Sequence, residues 1–273
     1  MICHSKTGYF FSKKYQTFPN SPFRDRLKVD YWKCAHCGFV YSKTHQEMTS
    51  DQWRELNSSA HHYFENHLEE QTINQPPYAE QALALSMLGR NGIVDVNGAL
   101  DYAAGYGTFS KLLSKYFNIG INIFDSYVRN DSETLKYVGE QDLSRYKLVI
   151  NSAMFEHVLS RNDLDRVDNL VADDGVLMIH SVICERIPKD SNWFYLAPIV
   201  HTAFHTNKSM ALLMEQWGYA ASIYSPQAKS WFLFKADCGQ LNKLEEMVGK
   251  INREIQTKYF YYKPGFVDYW KGF

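Results

Sequence analysis

One stretch, residues 98–113, limits what this chain can fold into more than any other. Apolar Ala99 and Leu100 lead to Asp101, a small-residue loop with Gly105 and Gly107 follows, and Phe109, Leu112 and Leu113 then recur at helical spacing. This order predicts the first strand, loop and helix of an α/β nucleotide-binding unit. Glycines let the chain turn sharply and let a ligand lie on bare amides at a helix N-terminus. The spacing excludes the two common phosphate loops, because no Lys-Ser/Thr pair closes the loop and a third glycine in dinucleotide register is missing.

A chain of 273 residues can hold one sizeable α/β domain and a small appendage. The net charge of -1 gives no electrostatic reason to expect nucleic acid as a partner. Aromatic residues (19 Tyr, 17 Phe, 6 Trp) are numerous enough to fill a core and also to line a stacking or sugar-facing cleft. No apolar run is long enough for a membrane span, and the N-terminal residues lack the apolar core of a signal peptide. A cytoplasmic protein is the resulting expectation. The five cysteines (3, 34, 37, 184, 238) are odd in number, and Cys34 and Cys37 form a Cys-x-x-Cys, pointing to metal rather than disulfides.

Residues 1–45 read as a small zinc-ribbon-like hairpin. Cys34-Ala-His-Cys37-Gly lies between two short strands, the pattern of a zinc knuckle, and Cys3 supplies a third thiolate. Structural zinc takes four ligands. His4 is carried as the fourth, His45 is the next candidate, and His36 inside the knuckle is expected to face away; the alternative is an ordinary hairpin with buried free cysteines. Residues 46–92 read as a helical lid or linker, with Ser50 or Asp51 as a cap and a second helix with Pro77 in its first turn, carrying Leu83, Met87 and Leu88. His62 and His67, five apart, do not share a helical face as a metal pair would, and Tyr63 and Tyr78 are candidates to line a cleft.

From 98 to 183 strands and helices alternate, as a parallel sheet requires. The apolar run 119–124 ends in Asp125, 24 residues beyond Asp101, where such folds place an acid on the ribose hydroxyls; the competing role for Asp125 is a helix N-cap. A weak strand spans Leu135 to Val138, with Asp142 as a guess for an adenine contact. Leu148, Val149 and Ile150 form a buried strand that the chain leaves at Asn151 and Ser152, on the same edge as the glycine loop. Phe155-Glu-His-Val158, a helix with Leu164, Val167 and Leu170, and a strand over 173–179 follow. A helix over 207–217, two strands over 219–224 and 230–235, an amphipathic helix (Leu241, Leu244, Val248, Ile251, Ile255) and an aromatic tail over 258–270 complete the chain.

Asp101-Tyr-Ala-Ala-Gly105-Tyr-Gly107 resembles, as Asp-x-Ala-x-Gly-x-Gly, the first motif of the class I S-adenosylmethionine-dependent methyltransferases. The Phe-Glu-His-Val run and the strand at 173–179 are similar to the fourth motif and fifth strand of that family, and the resemblance covers about residues 75–236. It implies an α/β fold with a seven-stranded Rossmann-like sheet ending in an antiparallel hairpin. It implies S-adenosylmethionine as cofactor, held by Asp101, Ala103, Gly105, Gly107, Asp125, Asn151, Ser152 and Tyr78. Expected boundaries are 1–45 (knuckle), 46–92 (lid), 93–240 (cofactor-binding core) and 241–273 (C-terminal helix and a tail that covers the cleft), with a homodimer through that helix as the oligomer the pattern allows.

A cysteine knuckle before such a core resembles the sugar-modifying members, which implies a small polar acceptor: a hydroxyl, carbon or amine of a nucleotide-linked sugar or a surface-polysaccharide precursor. An rRNA base methyltransferase with a zinc ribbon and a non-catalytic cofactor-binding or assembly protein are the alternatives. Methylating an oxygen requires a base, and neutral histidine suits that role near pH 7. His205, just ahead of the 207–217 helix, ranks first, then His201 and His157; His180 reads as a satisfied core residue.

Overall fold

Three buried residues, Leu100–Tyr102, form the strand that leads into the glycine loop, and parallel strands lie on both sides of it. Strands covered on both faces are mostly apolar; Leu100 and Tyr102 follow that rule, and the buried Asp101 between them departs from it. The computed structural model describes residues 1–16, 26–66, 76–128 and 135–269. The loop with Pro19 and Pro22, the side chains of 61–66 (His62 and Tyr63 among them), His67 and Trp270 lie outside the described residues.

In chain order the strands are β1 (Thr7–Gln16), β2 (Arg26–Cys34), β3 (Val40–Ser42), β4 (Leu100–Tyr102), β5 (Asn122–Phe124), β6 (Lys136–Tyr137), β7 (Tyr146–Ser152), β8 (Val171–His180), β9 (Ile183–Cys184), β10 (Ala203–Thr206), β11 (Tyr219–Ser225), β12 (Ser230–Lys235) and β13 (Tyr261–Pro264). The helices are α1 (Lys43–Gln46), α2 (Ser50–Asn66), α3 (Tyr78–Arg90), α4 (Thr108–Phe117), α5 (Arg161–Asp168), α6 (Asn207–Gln216) and α7 (Leu244–Glu254). The chain divides into two compact units. One gathers residues 1–75, 156–163 and 182–210; the other holds 76–155, 164–181 and 211–273.

The larger unit carries an eight-stranded sheet in the order β13-β11-β12-β8-β7-β4-β5-β6. Strands β4 to β8 pair in parallel, and β12 runs antiparallel to both β8 and β11. The α/β character and the antiparallel β11–β12 pair are as expected; seven strands were expected and eight are present. The eighth corrects an expectation: part of the aromatic tail over 258–270 adds β13 to the edge of β11 instead of folding over a cleft. Its surroundings hold it there, because Phe260, Phe266 and Val267 are buried, the Trp231 ring stacks on Phe266, and the Trp231 indole donates to the Val267 carbonyl at 2.8 Å.

The helices pack this sheet as amphipathic elements should. Phe109 and Leu113 of α4 and Leu244, Val248 and Ile251 of α7 enter one apolar core with Leu148, Ile150 and Met178. Helix α7 therefore buries its face within its own unit, and Ile255, beyond its end, is exposed. Helix α3 begins after Pro77, with Leu83 pointing outward and Gln81 buried. The Gln81 amide explains this orientation: it accepts from Ser152 Oγ at 3.1 Å and donates to Ser230 Oγ at 3.2 Å.

The smaller unit is built on a five-stranded sheet, β1-β2-β3-β10-β9, so the N-terminal hairpin and the segment after β8 share a sheet. Its core of Phe11, Tyr31, Val40, Leu56, Tyr195, Leu196 and Phe204 draws on both segments. The expected boundaries at 45 and 92 thus fall inside these units, because a three-stranded hairpin exposes an apolar face that a distant segment then covers. Helix α2 is capped one residue earlier than expected. Thr49 Oγ1 accepts the Gln52 N–H at 3.2 Å while Gln52 Oε1 accepts the Thr49 N–H at 3.0 Å, a capping box.

Candidate functional site

The glycine loop of the larger unit leaves β4 through Ala103, whose φ of +62° is left-handed, and then runs through Gly105 (φ +54°) and Gly107 (φ +69°) into α4. Two contacts hold Gly105. Its N–H donates to Asp125 Oδ2 at 2.8 Å, and its carbonyl accepts the Tyr137 hydroxyl at 2.8 Å. Asp125, just past β5, also takes the N–H groups of Tyr127 (2.7 Å) and Val128 (2.9 Å) on its other oxygen. The carboxylate thereby caps its own loop and clasps the glycine loop, and among the described residues no helix follows for it to cap. Each carboxylate oxygen has two acceptor sites, so capacity for a diol remains.

The two glycines differ. A Cβ on Gly107 would lie 3.0 Å from Leu135 Cδ1 and 3.1 Å from Ile123 Cδ1, so its role is close packing of α4 on the sheet. A Cβ on Gly105 would meet nothing within 4 Å, which leaves the face of the loop open for a ligand. Asp101 is buried beneath, 2 % exposed, and burial, reinforced by the charge of Asp125, pushes its carboxyl up to about 8.

The remaining expected cofactor residues take mixed positions. Asn151, at the end of β7, is buried and donates to the Tyr102 carbonyl at 3.1 Å, tying β7 to β4. Ser152 reaches Gln81, and Ala153 (φ +64°) donates its N–H to the His180 carbonyl at 3.0 Å. Tyr78 opens α3 and packs, half-buried, against the apolar core. Asp142 sits exposed in a short helical turn next to Gln141. Sequence reading missed Tyr137: the third strand is two residues long, and its one tyrosine was the signal. His180 fits the satisfied core residue expected of it. Its Nδ1 lies 2.7 Å from the Lys229 carbonyl, and burial lowers its pKa to about 4.

All three candidate bases fall in the smaller unit. His205 is not in a loop ahead of α6: it lies within β10, opposite Ile183, fully buried, with its ring 4.9 Å from that of Phe39. The alternation of β10 turns it into the sheet's packing. His201 and His157 lie together, rings 4.9 Å apart at 87°. The His201 Nδ1 lies 2.7 Å from the Tyr195 carbonyl. A carbonyl only accepts, so Nδ1 carries a proton, and in the neutral ring the lone pair is on Nε2. Glu156 joins this pair, and the Tyr195 hydroxyl donates to its Oε1 at 2.6 Å.

The thiols of Cys3, Cys34 and Cys37 form one cluster, with the Cys3 and Cys34 sulfurs 3.4 Å apart. Burial acts against ionisation of Cys3, yet hydrogen bonds from Ser5, His36 and Cys34 bring it down to about 5, whereas burial pushes Cys37 up to about 12. His4 is exposed, in a left-handed conformation, and neither it nor His36 belongs to the group of three thiols. His45 is buried elsewhere, its Nδ1 2.5 Å from Ser42 Oγ. His36, expected to face away, is the histidine that reaches Cys3.

No protein-family model matches the chain, and no curated protein does. Among solved structures, resemblance is found to the plantazolicin methyltransferase BamL in complex with a triazolic desmethyl-plantazolicin analogue and S-adenosylhomocysteine (12 % identity, TM-score 0.46, 80 % of this chain and 93 % of that one). The plantazolicin methyltransferase BpumL with S-adenosylhomocysteine shares 10 % identity at a TM-score of 0.43, over 70 % of this chain and 92 % of that one. DesVI of Streptomyces venezuelae shares 11 % at a TM-score of 0.42, over 66 % and 98 %.

Proposed function

We propose that the chain is an S-adenosylmethionine-dependent methyltransferase acting on a small polar acceptor, a hydroxyl, carbon or amine of a nucleotide-linked sugar or a surface-polysaccharide precursor. The observation that carries this reading is the clasp of Gly105 by Asp125 at the carboxyl edge of a parallel sheet whose antiparallel strand β12 lies between β8 and β11. Such an edge is where open α/β sheets bind ligands. The open face of Gly105 suits a nucleoside lying on bare backbone, and the half-buried Asp125 suits a ribose diol. Ala103, Gly105, Gly107 and Asp125 would hold the cofactor; Asn151 and Asp101 support the loop from below. When bound, S-adenosylmethionine supplies an electrophilic methyl on a sulfonium, and the protein's task is alignment.

The smaller unit's thiols suit structural zinc. Zinc–thiolate bonds of about 2.3 Å place tetrahedral sulfurs about 3.8 Å apart, and the three sulfurs here already lie within 4.8 Å of one another. Cys3, Cys34, Cys37 and His36 would be the ligands.

Calorimetry with S-adenosylhomocysteine on the wild type and on Asp125→Ala tests the cofactor claim: binding by the first and its loss in the second is expected, and no binding by the wild type would refute it. Transfer of labelled methyl to a panel of nucleotide sugars, with RNA alongside, tests the acceptor and separates enzyme from binding protein.

A further inference from the structure

We propose that Glu156, His157 and His201 form a metal site, separate from the cysteine cluster, that takes a divalent first-row transition ion of the zinc type and leaves it an open coordination position. The donor atoms of the three side chains lie within 4.8 Å of one another. Ligands around such an ion at about 2.0–2.2 Å stand roughly 3–3.5 Å apart, so side-chain torsions suffice to close the site.

The scaffold around the three residues is what sets them apart from a chance cluster. The Glu156 carbonyl accepts the N–H groups of Thr202 (2.7 Å) and Ala203 (3.0 Å), and Thr202 Oγ1 donates to the Val158 carbonyl at 2.7 Å. These bonds fix the turn at 156–158 against the segment that carries His201. Tyr195, itself buried, then orients two of the three ligands. Its carbonyl takes the Nδ1 proton of His201, directing the Nε2 lone pair away from the backbone, and its hydroxyl donates to Glu156 Oε1 while accepting the Val182 N–H at 3.2 Å. A histidine ligand whose other nitrogen is held by a carbonyl, and a carboxylate ligand that is itself hydrogen-bonded, are the supports that metal sites use. A carboxylate has two oxygens, so the phenol contact and ligation are compatible.

The donor set selects the ion. Two imidazoles and one carboxylate suit zinc, iron, cobalt or nickel rather than magnesium or calcium, which prefer oxygen alone. Three protein ligands characterise zinc sites that keep a position for water or substrate oxygen, and the ion lowers the pKa of an oxygen bound there. The site does not depend on the methyltransferase reading; either can fail without the other.

Cobalt(II) titration of the full chain, stripped of metal with a chelator, tests the proposal. Cobalt on the cysteines gives intense sulfur charge-transfer bands, whereas cobalt on two histidines and a glutamate gives only weak visible d–d bands. One equivalent of cobalt bound without added sulfur charge-transfer intensity is expected in the wild type. His157→Ala, at a half-buried position, should lose that equivalent and keep its thermal transition, and Tyr195→Phe should weaken it about 10–100-fold. The proposal is overturned if every bound cobalt in the wild type carries the sulfur bands. It is equally overturned if folded His157→Ala binds as much as the wild type.

Discussion

The Tyr137 hydroxyl donates to the carbonyl of Gly105 at 2.8 Å, so the short strand β6 holds one side of the glycine loop whose other side Asp125 holds. Removing the two supports should have unequal effects. Tyr137→Phe deletes one neutral hydrogen bond, about 1 kcal/mol, or roughly fivefold in affinity for S-adenosylhomocysteine. Asp125→Ala deletes a charged acceptor shared by three N–H groups and the expected diol, and should cost about 2–3 kcal/mol of binding. Calorimetry on both variants gives the ratio; equal losses would mean that Asp125 acts only through the loop.

Gly105 and Gly107 should respond differently to alanine, although both have positive φ. A methyl at 107 meets Leu135 and Ile123 as well as the backbone penalty, so Gly107→Ala should destabilise by about 2–4 kcal/mol. At 105 only the backbone penalty of about 1–2 kcal/mol applies. Gly105→Ala should therefore remain folded in urea titrations while losing cofactor affinity, because its methyl occupies the open face.

Asp101 makes stability depend on pH. Its carboxyl is raised from an ordinary value of 3.8 to about 8, so the folded protein keeps a proton that the unfolded chain releases. This contribution favours folding less as pH rises from about 4 to about 8 and is level outside that window, with a slope of at most about 1.4 kcal/mol per pH unit. Asp101→Asn, which cannot ionise, should flatten the difference between urea midpoints at pH 5.5 and 7.5. An unchanged slope would mean that Asp101 is ionised in the folded protein.

The expected sheet was legible because buried parallel strands must be apolar on both faces and because glycine, aspartate and helix follow one another in a fixed order around residues 100–113. Three features were less legible. Tyr137 lies in a strand too short to show a period. The assignment of residues 182–210 to the sheet of β1 and β2 rests on pairing between Phe204 and Val40, remote in sequence, which local pattern does not encode. The contact of His36 with Cys3 was not legible because a four-residue knuckle can turn its central histidine either way, and the contact is set by where Cys3, ahead of β1, meets the knuckle.

Lys235 and Asp168 form a largely buried ion pair at 2.8 Å, their side chains 11 % and 12 % exposed. The ammonium also donates to the Trp217 carbonyl at 2.6 Å and lies 4.2 Å from the centre of the Tyr219 ring. Burial raises the Asp168 pKa in spite of the lysine. Lys235→Met alone should cost about 3–5 kcal/mol, since it leaves a buried carboxylate without its cation. The double variant with Asp168→Leu should recover much of that loss in thermal unfolding. No recovery would place the cost in the lost Trp217 and Tyr219 contacts.

His36 and His4 make opposite predictions for zinc. His36 hydrogen-bonds Cys3 and helps to lower its pKa, although neither His36 nor the exposed His4 belongs to the group of three thiols within 4.8 Å of one another. Both lie at the surface, so replacing either with alanine should leave the core intact. His36→Ala should weaken zinc at least about tenfold against a competing chelator, since a structural site loses a quarter of its ligands. His4→Ala should leave zinc unchanged. If His4→Ala releases zinc and His36→Ala does not, the knuckle histidine is only a hydrogen-bond partner and the N-terminal segment closes the site.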